Sequence, residues 1–176
     1  AFLNFVITDI KNYFEKTLQR SLQEIDLSLF TSYLTLDAGI NEGKNEVQFL
    51  FVYDKESRHL QHCQPSDLQE ELNGVAFQSP YGEFSFAGVP SEGMVSREDL
   101  FMDLLSVVSD SADVKRMIVV SFNEEYGKKV TDVLQGLKGK EVMQFRMNEP
   151  EISVNYKWDM LAFPVMHSLG IRAEEL

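Results

Sequence analysis

Apolar and polar positions alternate with two different periods along this chain, and the clearest change of period lies between Lys115 and Arg146. Arg116 to Phe122 (RMIVVSF) is a short apolar run rich in β-branched residues. It has the pattern of a strand covered on both faces. Asn123 follows as a good N-cap, and Glu124 and Glu125 stand in the first turn, where the helix dipole favours negative charge. Tyr126, Val130, Val133, Leu134 and Leu137 recur three or four apart and form one apolar stripe. Gly136 and Gly139 end that helix, and Glu141 to Arg146 (EVMQFR) returns to a strand pattern. Strand, helix and strand at this spacing predict a βαβ unit with parallel strands and a right-handed crossover.

The same reading extends to the rest of the chain. Phe2 to Ile7 is a short strand or the lead-in to a helix capped at Thr8 or Asp9. That helix runs to about Ile25, with Ile10, Phe14, Leu18, Leu22 and Ile25 on its apolar stripe. Thr31 to Leu36 alternates and predicts a strand, Asp37 to Asn45 is dense in turn residues, and Val47 to Tyr53 predicts its hairpin partner. Both faces of Val47–Tyr53 are largely apolar, which predicts a central position in the sheet. Asp54 to Pro65 is polar and irregular. Ser66 to Leu72 predicts a short helix with Ser66 and Gln69 as a capping box.

A second hairpin is predicted from Val75–Gln78 and Glu83–Ala87 around Ser79-Pro80-Tyr81-Gly82. A loop covers Gly88–Val95, and Ser96 caps a helix carrying Leu100, Phe101, Leu104, Leu105, Val107 and Val108. After the βαβ unit, Ile152 to Asp159 alternates as a half-exposed, antiparallel-type strand. Leu161 to Ile171, broken by Pro164 and Gly170, is irregular or a short helix. The expected fold is α+β (mixed α/β): a mixed sheet with antiparallel hairpins, one βαβ crossover in the C-terminal half and helices packed on the sheet. At 176 residues the chain is expected to make one globular domain over 1–176.

Composition narrows the function more than it names it. Hydrophobic residues make up 44% and charged residues 25%, near the globular average. One cysteine excludes an intramolecular disulfide and suits a reducing compartment, so a cytoplasmic location is expected. The net charge of −12 repels phosphate backbones and anionic membranes, so neither nucleic acid nor a membrane is an expected partner. Ala1 to Ile7 has no basic n-region or cleavage site and does not read as a signal peptide, and no apolar run is long enough to span a bilayer.

Candidate chemistry is sparse. No GxGxxG or GxxxxGK[ST] motif occurs, the Ser121-Phe122-Asn123 turn lacks glycine, and Gly136–Lys140 sits where a helix ends, so no cofactor is expected. Ser121, Phe122 and Asn123 remain the place for a small-ligand pocket, because strand ends in a parallel sheet hold ligands. His59, His62 and Cys63 are the metal candidates, as imidazole and thiolate bind zinc or copper. They lack a second cysteine or an HExxH partner, and a polar loop that happens to hold two histidines is the competing reading.

No GxSxG occurs, and Glu70-Glu71 and Glu124-Glu125 diverge on helix surfaces, so no catalytic residue is expected. Tyr156 and Trp158, on a late strand, are the interface candidates. These observations together lead to a non-catalytic, acidic, soluble domain that binds another protein or pairs as a homodimer. A small-ligand-binding protein or enzyme with its pocket near Ser121–Asn123 is the alternative.

Overall fold

A computed structural model describes residues 1–93 and 95–176. In chain order the elements are helix α1 (Phe2–Leu18), strand β1 (Ile25–Asp26), helix α2 (Leu27–Asp37), strands β2 (Asn45–Tyr53), β3 (Cys63–Gln64), β4 (Ala76–Ser79) and β5 (Gly82–Pro90), helix α3 (Arg97–Asp110), strand β6 (Arg116–Val120), helix α4 (Asn123–Gln135), strands β7 (Glu141–Arg146) and β8 (Lys157–Met160), and helix α5 (Ala162–Ser168). Short helical turns occupy Lys55–Ser57, Leu68–Leu72 and Ala173–Glu175. The fold is mixed α/β, with helices packed on sheets that contain parallel and antiparallel strands. The sequence predicts one domain; the packing groups the chain into two compact units, Ala1–Glu92 with Phe163–Leu176, and Gly93–Ala162.

In the first unit, α1 begins at Phe2 rather than at Thr8 or Asp9 and ends at Leu18 rather than Ile25. Its buried face is Val6, Ile7 and Ile10, so the apolar lead-in is part of the helix. Gln19 turns left-handed and stops it. The chain beyond is held by tertiary contacts that override the helical pattern: Arg20 grips the Glu175 carboxylate with two hydrogen bonds of 2.8 Å, and Gln23 Nε2 donates to the Ser168 carbonyl at 3.1 Å.

The expected strand at Thr31–Leu36 is helical, within α2. Asp26 caps that helix by accepting from the Ser28 amide, and Leu27, Phe30, Thr31, Leu34 and Thr35 form its buried face. The buried threonines, which read as strand formers, donate back to Leu27 O (2.9 Å) and Thr31 O (2.8 Å). That satisfies hydroxyls the core would otherwise leave unpaired.

The first expected hairpin is therefore absent, and β2 instead pairs in parallel with β5, from Asn45 opposite Gly82 to Tyr53 opposite Pro90. The second expected hairpin is present as antiparallel β4–β5, Ala76 opposite Ser85 through Ser79 opposite Gly82. The resulting mixed sheet has the order β2-β5-β4, so β2 lies at an edge and not at the centre. At Gly82, with φ of 127°, an added Cβ would sit 1.9 Å from the Asn45 carbonyl oxygen, so only glycine lets β5 start this close to β2. β1 and β3 form a two-stranded parallel ladder, Ile25 opposite Cys63. The turn at Leu68–Leu72 is capped by Asp67, one residue after the expected Ser66. Val6, Ile7, Ile25, Leu27, Phe30, Phe84, Val165 and Leu169 are all buried in this unit.

The second unit contains the βαβ crossover as expected, with Met117 opposite Val142 and Val119 opposite Gln144 in parallel register. Its core holds Leu105 of α3, Met117 and Val119 of β6, Val130 and Leu134 of α4 and Val142 of β7. Ser96 caps α3 by accepting from the Asp99 amide at 3.1 Å. The cap residue of α4 is Phe122, because the Asn123 side chain is taken by Ser121. The expected antiparallel-type strand is shorter and runs parallel: β8 pairs with β7 from Lys157 opposite Met143 to Met160 opposite Arg146. The segment 147–156 makes that second crossover without a helix, tied to the end of α4 by Asn155 Nδ2 donating to Gln135 O at 2.9 Å. The expected loop at Gly88–Val95 is strand through Pro90; Met94 lies outside the described residues.

Candidate functional site

Strand β2 is nine residues long and, among the described residues, has a strand neighbour on one side. Backbone parity decides which of its polar groups face β5. The Asn45 amide donates to Tyr81 O (3.2 Å), and Tyr53 O accepts from the Ser91 amide (2.8 Å), so both ends of β2 address the β5 side through odd-numbered residues. Along a strand the N–H and C=O of one residue point the same way and successive residues alternate. Glu46, Gln48, Leu50 and Val52 therefore present their N–H and C=O groups away from β5. Among the described residues, no strand and no hydrogen bond occupies that side.

Edges of this kind are ordinarily kept short, charged, bulged or interrupted by proline. β4 and β8, also edges, are four residues each, and β8 carries Lys157 and Asp159. β6 has five residues and opens with Arg116, which pairs with Glu141 at 3.0 Å. β2 is the longest of the four, pairs without a bulge, and has Glu46 as its one charge and no proline. Its side chains divide cleanly. Phe49 and Phe51 share a face with Phe84, Phe86 and Phe77, with Phe49 stacked on Phe86 at 5.1 Å and edge-on to Phe84 at 5.2 Å. Leu50, 38% exposed, lies on the opposite face with Gln48 and Val52. Chemically, the edge offers alternating donors and acceptors to an extended chain.

The sequence-derived candidates fall elsewhere. Ser121 is buried at the carboxyl end of β6, and its hydroxyl donates to Asn123 Oδ1 at 2.8 Å. Phe122 caps α4, which kinks at Tyr126 with φ of −140°. Burial pushes the Tyr126 phenol above its ordinary value.

Sequence reasoning missed Gln144, which lies on β7 opposite Val119 and is 0% exposed. Its Oε1 accepts from the Tyr156 hydroxyl (2.8 Å) and from Arg146 Nη1 (3.2 Å). A guanidinium can only donate, so Arg146 fixes which end of the amide is oxygen. Nε2 is buried and finds no acceptor among the described residues. The signal available in the sequence was a glutamine at an inward position of the apolar run Glu141–Arg146.

Tyr156 and Trp158 line an open cleft of about 370 Å³ with residues 149–154, and Ser121, Phe122 and Asn123 do not border it. Trp158 belongs to the edge strand β8, and Tyr156 packs on the core of its unit.

His59, His62 and Cys63 are neighbours in sequence with separate roles. His59 is exposed, with Nε2 3.3 Å from Asp67 Oδ2. Asp67 is already engaged by Arg58 through contacts of 2.9 and 2.7 Å and caps the following turn, and Arg58 holds its carboxyl well below the usual carboxylate range. His62 has a left-handed φ of 63°, and its carbonyl accepts from the Ile25 amide at 2.7 Å. Cys63 is buried, and desolvation pushes its thiol up to about 12. Among the described residues, no group of three or more His, Cys, Asp or Glu side chains is arranged to hold a metal ion. Nor, among them, is any helix long and apolar enough to cross a membrane.

Residues 1–176, the whole chain, match the family described as Family of unknown function (DUF6621), and the chain belongs to that family. No curated protein and no solved structure matches it.

Proposed function

We propose that this member of the DUF6621 family is a protein-binding module that takes up an extended segment by strand addition along the open edge of β2. The observation that supports it is the row of N–H and C=O groups on Glu46, Gln48, Leu50 and Val52 that no described residue pairs, in a strand with a single charge and no proline to keep its edge from pairing. Main-chain hydrogen bonds supply affinity in this mode, and the side-chain positions flanking the strand supply selectivity. No bond-making step is part of the reading.

Selection of displayed random peptides against the wild type and against Leu50→Pro tests it. Proline at position 50 removes an outward N–H and obstructs the edge while sparing the bonds to β5. Peptides with alternating apolar residues are enriched by the wild type and lost with Leu50→Pro. Equal enrichment by both proteins refutes strand addition, as does enrichment by neither when the wild type is monomeric.

A second reading is a small-ligand site at the carboxyl ends of β6 and β7, near Ser121–Asn123. It is favoured by the buried Gln144 Nε2, a donor without an acceptor. A ligand at one hundred times its Kd stabilises the native state by about 2.7 kcal/mol. Thermal unfolding against a metabolite panel would register that, and a shift that survives Gln144→Met would remove the Gln144 amide from the reading.

A further inference from the structure

We infer that the segment added to the β2 edge is the β2 edge of a second copy of this chain, antiparallel about a two-fold axis through Phe49. This rests on the strand-addition reading and names its partner. A two-fold interface brings one surface against itself, so the strand must complement its own reversal. β2 does so about its midpoint. With Phe49 opposite Phe49 of the second copy, Gln48 faces Leu50 and Glu46 faces Val52, in both directions. These are the residues whose backbone groups point outward, so each facing pair exchanges both of its hydrogen bonds and none of the outward groups within β2 is left over.

The side chains agree with this register. Phe49 meets its counterpart in the close, non-hydrogen-bonded type of pair, and Val47 lies opposite Phe51, so the aromatic face continues from one sheet into the next. A shift by one residue would turn the aromatic face of one copy to the Glu46, Gln48, Leu50 and Val52 face of the other.

Strand length and charge separate the remaining alternatives. Pairing about Phe49 places Glu46 opposite the apolar Val52, with the oppositely charged Lys44 and Asp54 just beyond the two ends of the paired segment. Moving the axis to Leu50 sets Glu46 opposite Asp54, and moving it to Gln48 sets Val52 opposite Lys44; both partners lie outside β2, so each shift leaves an outward residue of the strand without a strand partner. Like charges directly opposed across strands are destabilising. The product is a continuous six-stranded sheet in the order β4-β5-β2-β2-β5-β4.

Sedimentation equilibrium of the full chain and of Leu50→Pro, with cross-linking of Gln48→Cys and Leu50→Cys, tests the inference. Positions 48 and 50 are exposed, so both substitutions leave the core intact, and the native Cys63 is buried with a thiol pushed up to about 12. In the Phe49-centred pairing, residue 48 faces residue 50 of the other copy with Cα atoms about 5.5 Å apart, within disulfide reach. Like positions lie on the diagonal, beyond it. The expected result is a wild-type dimer and a Leu50→Pro monomer at the same concentrations. Oxidation should give a covalent dimer when the Gln48→Cys and Leu50→Cys proteins are mixed, and none from either variant alone. A dimer that persists in Leu50→Pro, or cross-links that form equally within each single variant, overturns the inference. A wild-type monomer that binds edge peptides overturns the second copy and leaves strand addition standing; a monomer that binds none removes both.

Discussion

Which backbone groups of β2 face β5 is the fact on which the open edge depends, and proline can read it residue by residue. Leu50 and Phe51 are adjacent in one strand and point their N–H groups in opposite directions. The end contacts show the parallel offset: Asn45, opposite Gly82, donates to Tyr81 O, one residue earlier. By the same offset Phe51, opposite Gly88, donates to the carbonyl of Ala87. Phe51→Pro deletes that bond, strands the Ala87 carbonyl in the sheet and presses a ring against β5. Losing one partner of a buried hydrogen bond costs about 1–3 kcal/mol, before any cost of the displaced strand. Leu50→Pro deletes a donor that faces solvent, and proline at such edge positions is tolerated.

Alanine at each site removes the side-chain contribution, so the informative quantity is proline minus alanine at the same residue. That difference should be within about 1 kcal/mol at Leu50 and about 3 kcal/mol or more at Phe51. Urea unfolding by circular dichroism, at protein concentrations low enough to keep the chain monomeric, gives both values from the midpoints if the slopes are unchanged. Equal differences at the two sites, or a larger one at Leu50, would refute the assignment of the open side and with it the proposed docking edge.

Gly82→Ala should destabilise by more than about 2 kcal/mol, since its Cβ would lie 1.9 Å from the Asn45 carbonyl oxygen, a backbone atom that cannot turn aside. Gly139→Ala, also left-handed at φ of 77° but with nothing within 4 Å, should cost only about 1–2 kcal/mol in the same denaturation assay. The paired hydrogen bonds from Arg20 hold the Glu175 carboxyl down at about 2, against an ordinary 4.5. A depressed carboxyl stabilises the fold above its unfolded value and loses that contribution as pH falls. The melting temperature of the wild type should therefore exceed that of Glu175→Gln at pH 7, with the gap closing between pH 4.5 and about 2. Finally, two copies each of net charge −12 repel at long range, so self-association should strengthen from low to physiological salt, whereas uptake of a basic segment would weaken. Sedimentation at two ionic strengths reads that sign.

The parts of the fold that were legible in the sequence are those whose pattern and packing coincide. The βαβ unit, the capped helix after Ser96 and the hairpin around Pro80-Tyr81 all formed at the expected residues, because local turn chemistry and hydrophobic period agree there. Thr31–Leu36 misled because two threonines look like strand formers. Their hydroxyls instead bond back along a helix, a solution that requires the Asp26 cap and a core to receive Phe30 and Leu34. The stripe through Leu22 and Ile25 misled because those residues are buried outside any helix, in a segment pinned by Glu175 and Ser168 from the far end of the chain. No local pattern encodes such a contact. Of the candidate sites, the residues were visible but their neighbours were not: Ser121 and Asn123 bond to each other, and the amide left without a partner nearby is Gln144, which looks from sequence like a polar interruption in a strand.

The most informative disagreement concerns β2. Apolar residues on both faces of Val47–Tyr53 predict a central strand, yet among the described residues β2 has one strand neighbour, β5. The composition and the topology are reconciled if the second neighbour comes from another molecule. The overall charge then has a definite place in the argument. An acidic surface discourages indiscriminate contact between copies. Glu46 is the one charge within β2, and at the Phe49-centred register it never meets another carboxylate. Within the strand, pairing about Phe49 is the register in which all four outward residues, Glu46, Gln48, Leu50 and Val52, find a strand partner. A fold that left such an edge open without using it would carry an aggregation hazard that its own β4, β6 and β8 avoid by being short or charged.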